Sequence, residues 1–211
     1  MIRHFFRIFV TRNFKKNKFH TFLNIFGLAI GFAAFMLIML FVRHEKSYDS
    51  FHSNYNSLYR IISDKKANKF SGTPAQLGPY LSGKIPEIES FTRIEEKGDI
   101  MVVVDDKSYF EKGLIYADNS LFTSFSFPLI EGDKKTPLLA ENSVVLSENL
   151  AKKYFGTEKA TGKTIQLFED KQVFHVSGVV TDAPANSSIY YQVILPFEIM
   201  AKKSGWSMFN Y

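Results

Sequence analysis

An uncharged apolar run near the N-terminus constrains this chain more than any other feature. Residues 22–42 (FLNIFGLAIGFAAFMLIMLFV) contain no Asp, Glu, Lys or Arg, and 15 of these 21 residues are Phe, Leu, Ile, Met or Val. As an α-helix the run would extend about 32 Å, which matches the ~30 Å hydrocarbon core of a bilayer. The run therefore predicts a transmembrane helix.

Basic charge is concentrated before this run. The net charge of +5 and the pI near 9.2 could indicate nucleic-acid binding. Six of the 26 basic residues, however, lie in the first 20 positions, which hold no acid, and the rest of the chain has 20 basic and 21 acidic residues. Because Lys and Arg are enriched on the cytoplasmic side of membrane helices, the pattern predicts a cytoplasmic N-terminus. The partner it indicates is the lipid bilayer, and we expect no nucleic acid.

A cleaved signal peptide is the alternative interpretation of the same run. Signal peptides have apolar regions of roughly 7–15 residues followed by a small-x-small cleavage site, whereas this run is longer and no such site follows Val42. We therefore favour a retained helix and three regions. These are a cytoplasmic basic segment (residues 1–21), a transmembrane helix (residues 22–42) and an extracytoplasmic domain (residues 43–211).

Two patterns concern packing at the membrane. The apolar residues of positions 2–10 share one helical face opposite the arginines, which favours an amphipathic helix on the inner leaflet; a basic tail without regular structure is the alternative. Gly27 and Gly31 form a G-x-x-x-G pair, which allows close approach of another helix. Glycine is also common in membrane helices generally, so the pair is a candidate helix-packing site with ordinary composition as its alternative.

Beyond residue 43 the pattern predicts a mixed α+β domain of short strands and short helices. The predicted strands are residues 57–62, 88–95, 100–104, 108–116, 144–146, 164–168, 172–180 and 189–195. The predicted helices are one from the N-cap Thr73 to Lys84, a short one capped by Asp118, and one from the N-cap Ser147 to a stop at Gly156. Turns are predicted at Asp105-Asp106-Lys107 and at Glu169-Asp170, and the first strand, helix and second strand are interpreted as one unit.

Motifs for catalysis, cofactors and metals do not occur with the required spacing. Gly162-Lys163-Thr164 lacks the glycine five residues before Gly162 that a phosphate loop needs, and it leads from helix to strand rather than from strand to helix. The five histidines show no metal-ligand spacing, and the chain has no cysteine. We therefore expect no catalytic residue, no cofactor and no metal, and His175 is interpreted as an ordinary strand residue.

Three stretches are familiar in combination. Residues 48–52 (YDSFH) follow the apolar run, and residues 116–133 contain YAD, FTSF and PLIEGD. Residues 144–187 contain VVLSE, AKKYFG, GKTI, VSGVV and DAPANS. In this order and spacing they resemble the MacB-like periplasmic core domain of permease subunits in the MacB, FtsX and Lol class of ATP-binding-cassette transporters.

That resemblance implies a plasma-membrane or inner-membrane permease that dimerises with an identical or different second copy and pairs with a cytoplasmic ATPase. Such permeases carry three more transmembrane helices, and no second run of membrane length follows Val42. We therefore expect this chain to be the N-terminal part of a longer protein, with its outer domain incomplete at the C-terminus.

The expected function is to relay ATPase-driven motion to an extracytoplasmic domain during export or extraction. This chain has no ATPase motif and is not expected to be an enzyme itself. A single-pass sensor or protein-interaction module is the alternative, and the sequence indicates neither the substrate nor the residues that bind it.

Overall fold

The apolar run forms one continuous helix. The computed structural model describes residues 18–65, 68–70, 72–168 and 170–203. Helix α1 (Lys18–Glu45) has 28 residues, and it is the one helix in this described part that is long and apolar enough to cross a membrane. It extends beyond the predicted residues 22–42 at both ends. The predicted amphipathic segment at residues 2–10 lies outside the described residues.

The remaining elements belong to a second compact unit that begins at Asp49. Its described strands are β1 (Ser63–Lys65), β2 (Asn68–Phe70), β3 (Ile94–Val104), β4 (Lys107–Ala117), β5 (Leu129–Gly132), β6 (Ser143–Ser147), β7 (Thr164–Leu167), β8 (Gln172–Val180) and β9 (Val193–Pro196). Its described helices are α2 (Leu77–Ser82), α3 (Leu121–Ser124), α4 (Glu148–Phe155) and α5 (Phe197–Lys203), and a 3-10 turn covers Tyr55–Ser57. The mixed α+β class predicted from the sequence is confirmed.

Pairing between the strands closes most of the sheet. In the described residues β1 and β2 form a small antiparallel sheet, and the other strands form a larger one in the order β5-β8-β6-β9-β4-β3-β7. Strand β7 also pairs with β8, so six strands complete a ring and β5 lies outside it on β8. Closure leaves few unpaired edges, which protects a sheet from pairing with other chains.

Both faces of the central strands are buried. Val144 and Leu146 belong to one apolar cluster, while Val145 between them belongs to a second. Adjacent residues of a strand point to opposite faces, so the continuous apolar runs of β6 and β9 indicate strands covered on both sides. Helices α4 and α5 pack against the first cluster, and helix α3 contributes Leu121 to the second.

The sequence correctly predicted one hairpin turn and one capped helix, in which a few neighbouring residues specify the backbone conformation. Strands β3 and β4 meet at Asp105 and Asp106, whose φ angles of 47° and 62° are those of a two-residue hairpin turn. The Ser147 hydroxyl accepts a hydrogen bond from the Leu150 N–H at 3.3 Å, and helix α4 ends at Gly156 with φ of 64°. The predicted hairpin and this capped helix are therefore confirmed.

The predicted strand, helix and strand unit between residues 57 and 95 is wrong. Residues 58–62 are irregular and form no strand, and the Tyr59 side chain is 87% exposed. Helix α2 begins at Leu77, four residues after Thr73, and ends at Ser82. Residues 88–93 are also irregular because their polar groups bond elsewhere: the Arg93 N–H donates to the Asp118 carboxylate at 2.9 Å. A strand needs a hydrogen-bonded partner strand, and the apolar residues at 57–62 and 88–95 predicted strands without identifying such partners.

Smaller differences concern element ends. Asp118 does not cap helix α3 through its side chain, because its carboxylate binds Arg93, and Ser120 holds the N-cap position. Strand β9 begins at Val193, not at Ile189, and includes Pro196. Of the predicted Glu169-Asp170 turn, Glu169 lies outside the described residues, and the turn between β7 and β8 has positive φ at Phe168 and Lys171.

Candidate functional site

The second unit begins with a short segment that is hydrogen-bonded to two loops of the same unit. We call residues 49–53 the junction segment. Asp49 has a φ of 55°, a backbone conformation that Asp and Asn tolerate better than most residues. Its N–H donates to the Asn186 carbonyl at 2.9 Å, and its Oδ1 accepts from the Ser188 N–H at 2.8 Å. Asp49 therefore holds the start of the unit to the loop at residues 184–188.

His52 is the buried centre of the junction segment. Its side chain is 3% exposed, and Nδ1 accepts from the Ser126 N–H at 3.0 Å. Since Nδ1 acts as an acceptor, the neutral ring carries its proton on Nε2, and Nε2 has no hydrogen-bond partner among the described residues. The ring centroid lies 4.1 Å from that of Phe51, 5.2 Å from Phe125 and 5.0 Å from Phe127. The imidazole is thus held by one backbone bond inside an aromatic cluster.

Ser53 completes a reciprocal contact with the same loop. The Ser53 N–H donates to Ser126 Oγ at 2.8 Å, and the two hydroxyl oxygens lie 3.0 Å apart. Ser126 therefore donates its N–H to His52 and accepts the N–H of Ser53. These directional bonds fix the register of the junction segment on the loop at residues 124–127.

Burial lowers the pKa of His52 below 6.5, and the nearby Asp49 carboxylate acts in the opposite direction without reversing this effect. Burial in apolar surroundings disfavours the charged form of an imidazole. His52 is therefore neutral at pH 7, which is the form that its acceptor role requires.

A second contact, between Glu131 and Thr161, involves residues in or next to two other sequence stretches, PLIEGD and GKTI. The Glu131 Oε2 accepts the Thr161 N–H at 3.0 Å and the Thr161 hydroxyl at 2.7 Å. Burial alone would raise the pKa of Glu131, but these bonds and the N–H of Ala160 lower it overall. The carboxylate thus joins strand β5 to the turn that precedes strand β7.

Gly132 beside it allows the close approach of strand β8. Its φ is 98°, and a Cβ at this position would lie 2.2 Å from the Ser177 carbonyl oxygen. A side chain would therefore force β5 and β8 apart. This explains the glycine after Glu131 in structural terms.

Gly162-Lys163-Thr164 belongs to the same turn, and backbone groups of this segment are hydrogen-bonded within the chain. The Gly162 N–H donates to the Val176 carbonyl at 2.8 Å, and the Val176 N–H donates to the Lys163 carbonyl at 2.8 Å. The Lys163 ammonium pairs with Glu158 and lies 4.8 Å from the Phe155 ring centroid. The segment joins helix α4 to strand β7, which is the order of elements that the sequence predicted.

Two polar clusters brace the ring of strands. Arg93 makes a bidentate contact with Asp118 at 2.9 and 2.7 Å and reaches Glu198 at 2.8 Å. The buried Glu111 carboxylate accepts from Lys153 at 2.5 Å and from the Tyr154 hydroxyl at 2.9 Å. Burial and Glu111 raise the pKa of Tyr154, so the phenol stays protonated and donates. Both clusters join separate elements of the unit.

The other candidate residues lie apart from the junction segment. His175 is exposed on strand β8, and His20 and His44 are exposed on α1, while His4 lies outside the described residues. Within the described ranges there is no group of three or more His, Cys, Asp or Glu that could hold a metal ion. Gly27 and Gly31 lie on α1, and apart from the adjoining residues and nearby backbone of α1 itself, no described atom lies within 4 Å of a Cβ built at either position.

The junction segment, the loop at residues 124–127 and the loop at residues 184–188 come from the three stretches that resemble a known family. The model of the MacB-like periplasmic core domain family matches residues 21–210. The chain belongs to this family. The resemblance inferred from sequence is therefore confirmed.

Two solved structures are similar to part of this chain. A domain ascribed to a permease from Porphyromonas gingivalis is 29% identical with a TM-score of 0.56, over 62% of this chain and 60% of that one. The periplasmic region of MacB from Actinobacillus actinomycetemcomitans is 25% identical with a TM-score of 0.48, over 62% of this chain and 57% of that one. The match thus spans about 60% of the length of these relatives. No curated protein matches the chain.

Membership of this family shows that the chain contains a periplasmic-type domain, and α1 before it is long and apolar enough to cross a membrane. Sequence reasoning did not assign roles to Asp49 and His52. The signal was present in the YDSFH stretch, but the partners of these residues lie far along the chain: His52 contacts Ser126 across 74 residues and Asp49 contacts Ser188 across 139.

Proposed function

We propose that this chain is the N-terminal part of a permease in an ATP-driven export or extraction system. In this role α1 crosses the cell membrane with residues 1–21 in the cytoplasm, residues 22–42 form the span, and residues 43–211 lie outside. A cytoplasmic ATPase and a second permease copy, identical or different, are its partners. Displacement of α1 is passed to the outer domain.

The junction segment is the observation that carries this proposal. Only three residues separate Glu45, the end of α1, from Asp49, which is already bonded to residues 186 and 188. Long flexible linkers absorb motion, whereas a three-residue connection into a bonded segment transmits it. Together with membership of a permease family, this supports a relay from membrane helix to outer domain.

A nucleotide-dependent exchange experiment tests the relay. The complete permease is purified from its native membrane by an affinity tag, the co-purifying proteins are searched for an ATPase, and the complex is reconstituted in nanodiscs. Hydrogen exchange is then measured with and without ATP and vanadate. We expect a co-purifying ATPase and a nucleotide-dependent change in exchange at residues 49–53 and 124–127.

Two results would contradict the proposal. Purification without any ATPase would favour a sensor or interaction module, and unchanged exchange throughout the outer domain on nucleotide binding would remove the relay. Exchange of the buried strand β6 serves as the internal control, since it should stay protected in both states.

Gly27 and Gly31 are the proposed helix-packing positions within this assembly. Large side chains at both positions would hold a neighbouring helix away. We expect the double variant Gly27→Leu and Gly31→Leu to lose co-purification of two differently tagged permease copies, or to lose the native complex on a sizing column. The matched control is Ala29→Leu with Ala33→Leu, on the opposite side of α1. Equal assembly of both double variants would exclude the glycine interface.

A further inference from the structure

We propose that the junction segment is a pH-sensitive fastening, in which protonation of His52 releases residues 51–53 from the loop at residues 124–127. The release itself is a property of the outer unit and does not depend on the transport role proposed above. Its consequence for coupling does rest on that role.

The hydrogen bond at Nδ1 requires the neutral ring. Nδ1 accepts the Ser126 N–H at 3.0 Å, and both ring nitrogens of a protonated histidine are donors. Protonation would therefore oppose an N–H on the ring to the N–H of Ser126. The bond that fixes His52 to the loop would be replaced by a repulsive contact.

The described residues around the ring offer the charged form no additional hydrogen-bond acceptor. Nε2 is buried without a hydrogen-bond partner among the described residues, and the rings of Phe125 and Phe127 pack edge-on against the imidazole. A buried polar group without a partner is costly, and a buried charge costs more. The charged imidazole therefore gains solvation by leaving the aromatic cluster, and the segment leaves with it.

Few charged groups face the ring from the elements that pack on it. Asp49 raises the pKa of His52, but its carboxylate already accepts the Ser188 N–H. The loops at residues 124–127 and 184–188 contain no titratable side chain. Tyr191 contacts Phe127 through its ring, its hydroxyl donates to the Thr181 carbonyl, and burial raises its pKa, so it stays neutral.

The direction of the pH effect follows from proton binding. A free histidine titrates near 6.5, and burial lowers the pKa of His52 in the folded state, so the released state binds the proton more tightly. Fastening is then complete above about pH 6.5 and weakens as the pH falls, until the folded ring also protonates. For one proton the opening equilibrium rises up to about tenfold per pH unit in this window.

Hydrogen exchange of the full chain in nanodiscs tests this directly, with no ATPase or nucleotide present. Protection of the Ser126 and Ser53 amides is measured from pH 7.5 to 5.0 and corrected for intrinsic exchange. We expect local opening to increase several-fold to tenfold per pH unit below 6.5 in the native chain. Protection of strand β6 should not follow this change.

The variant His52→Asn separates titration from packing. Asn Oδ1 can accept the Ser126 N–H but does not titrate, so exchange near the junction should become independent of pH even if its level rises. His175→Asn is the matched control at an exposed histidine and should keep the native pH response. An equal pH response in His52→Asn, or a native response that is flat, would overturn the proposal.

A second measurement covers the case in which His52→Asn does not fold. The imidazole resonances of the native chain are followed by NMR through the same pH range. We expect the His52 ring to titrate below 6.5, while a ring that titrates at or above 6.5 would overturn the proposal. Because neither experiment involves the ATPase, failure of this inference is distinguishable from failure of the proposed transport role.

Discussion

The ring of strands and the junction segment belong to the same unit but are held by different forces. The ring buries apolar side chains on both sheet faces, with Leu146, Val145 and Ile194 fully excluded from solvent. The junction segment is held by a few directional bonds from Asp49, His52 and Ser53. Apolar burial is distributed over many contacts, whereas each of these bonds can be removed singly. We therefore expect the ring of strands to stay folded under conditions in which the junction segment is released.

The largest effect is expected in the ring itself. Leu146→Ala removes a fully buried side chain and should lower the free energy of unfolding by about 2–5 kcal/mol. Urea unfolding of the detergent-solubilised chain, followed by circular dichroism, measures this loss. Val173→Ala is the control, since Val173 is 51% exposed on β8, and should change stability by less than about 0.5 kcal/mol. An equal loss of unfolding free energy in Leu146→Ala and Val173→Ala would contradict the conclusion that apolar burial stabilises the ring.

Close packing of β5 on β8 should give the next largest effect. Gly132→Ala combines an unfavourable positive φ with a clash at the Ser177 carbonyl and should cost about 2–3 kcal/mol. Gly98→Ala is the matched control, because Gly98 also has a positive φ but its Cβ would meet nothing within 4 Å. It should cost about 1 kcal/mol. Similar values for both variants would show that backbone strain alone sets the cost.

The tether at Glu131 should have a smaller effect that depends on pH. Glu131→Gln weakens the bonds from Thr161 and should cost about 1 kcal/mol at pH 7. Because the pKa of Glu131 is lowered in the folded state, its stabilisation is present above about pH 4.5. The stability difference between the two chains should therefore shrink as the pH falls below 4.5. The exposed Glu87→Gln is the control and should change stability at pH 7 by less than about 0.5 kcal/mol. A constant difference at Glu131 across the pH range would exclude the carboxylate's role.

The smallest global effect is expected at the junction segment. Asp49→Asn keeps an acceptor and tolerates the positive φ, so it should cost a few tenths of a kcal/mol, whereas Asp49→Ala should cost about 1 kcal/mol. Hydrogen exchange of the Ser188 amide should rise in the same order. Loss of hydrogen-exchange protection throughout β6 in either variant would contradict the distinction between the ring of strands and the junction segment.

The sequence predicted those elements whose signals are local. An uncharged apolar run, a two-residue turn of Asp105 and Asp106, and the cap residues Ser147 and Gly156 each specify the backbone around them. Residues 58–62 show the opposite case: an apolar pattern typical of a strand remained irregular. A strand is stable only beside a partner, and partner choice is not a local property.

The candidate site was only partly predictable for the same reason. The YDSFH, FTSF and DAPANS stretches were recognisable as a set, and their resemblance indicated the family. Their contact with one another could not be derived from spacing, because it brings together residues separated by 73 to 139 positions. Gly27 and Gly31 were identified from sequence, and their role stays a prediction.

By itself the sequence determined an apolar helix long enough to span a bilayer, a mixed α+β domain and a helix with defined caps, since composition and short-range stereochemistry specify these features. Only the tertiary structure decided that the strands close into a ring, that Glu131 bonds to Thr161, and that His52 is buried with one bond and with no partner for Nε2 among the described residues. Those outcomes depend on which distant segments pack together, because burial and hydrogen-bond satisfaction are properties of the whole fold.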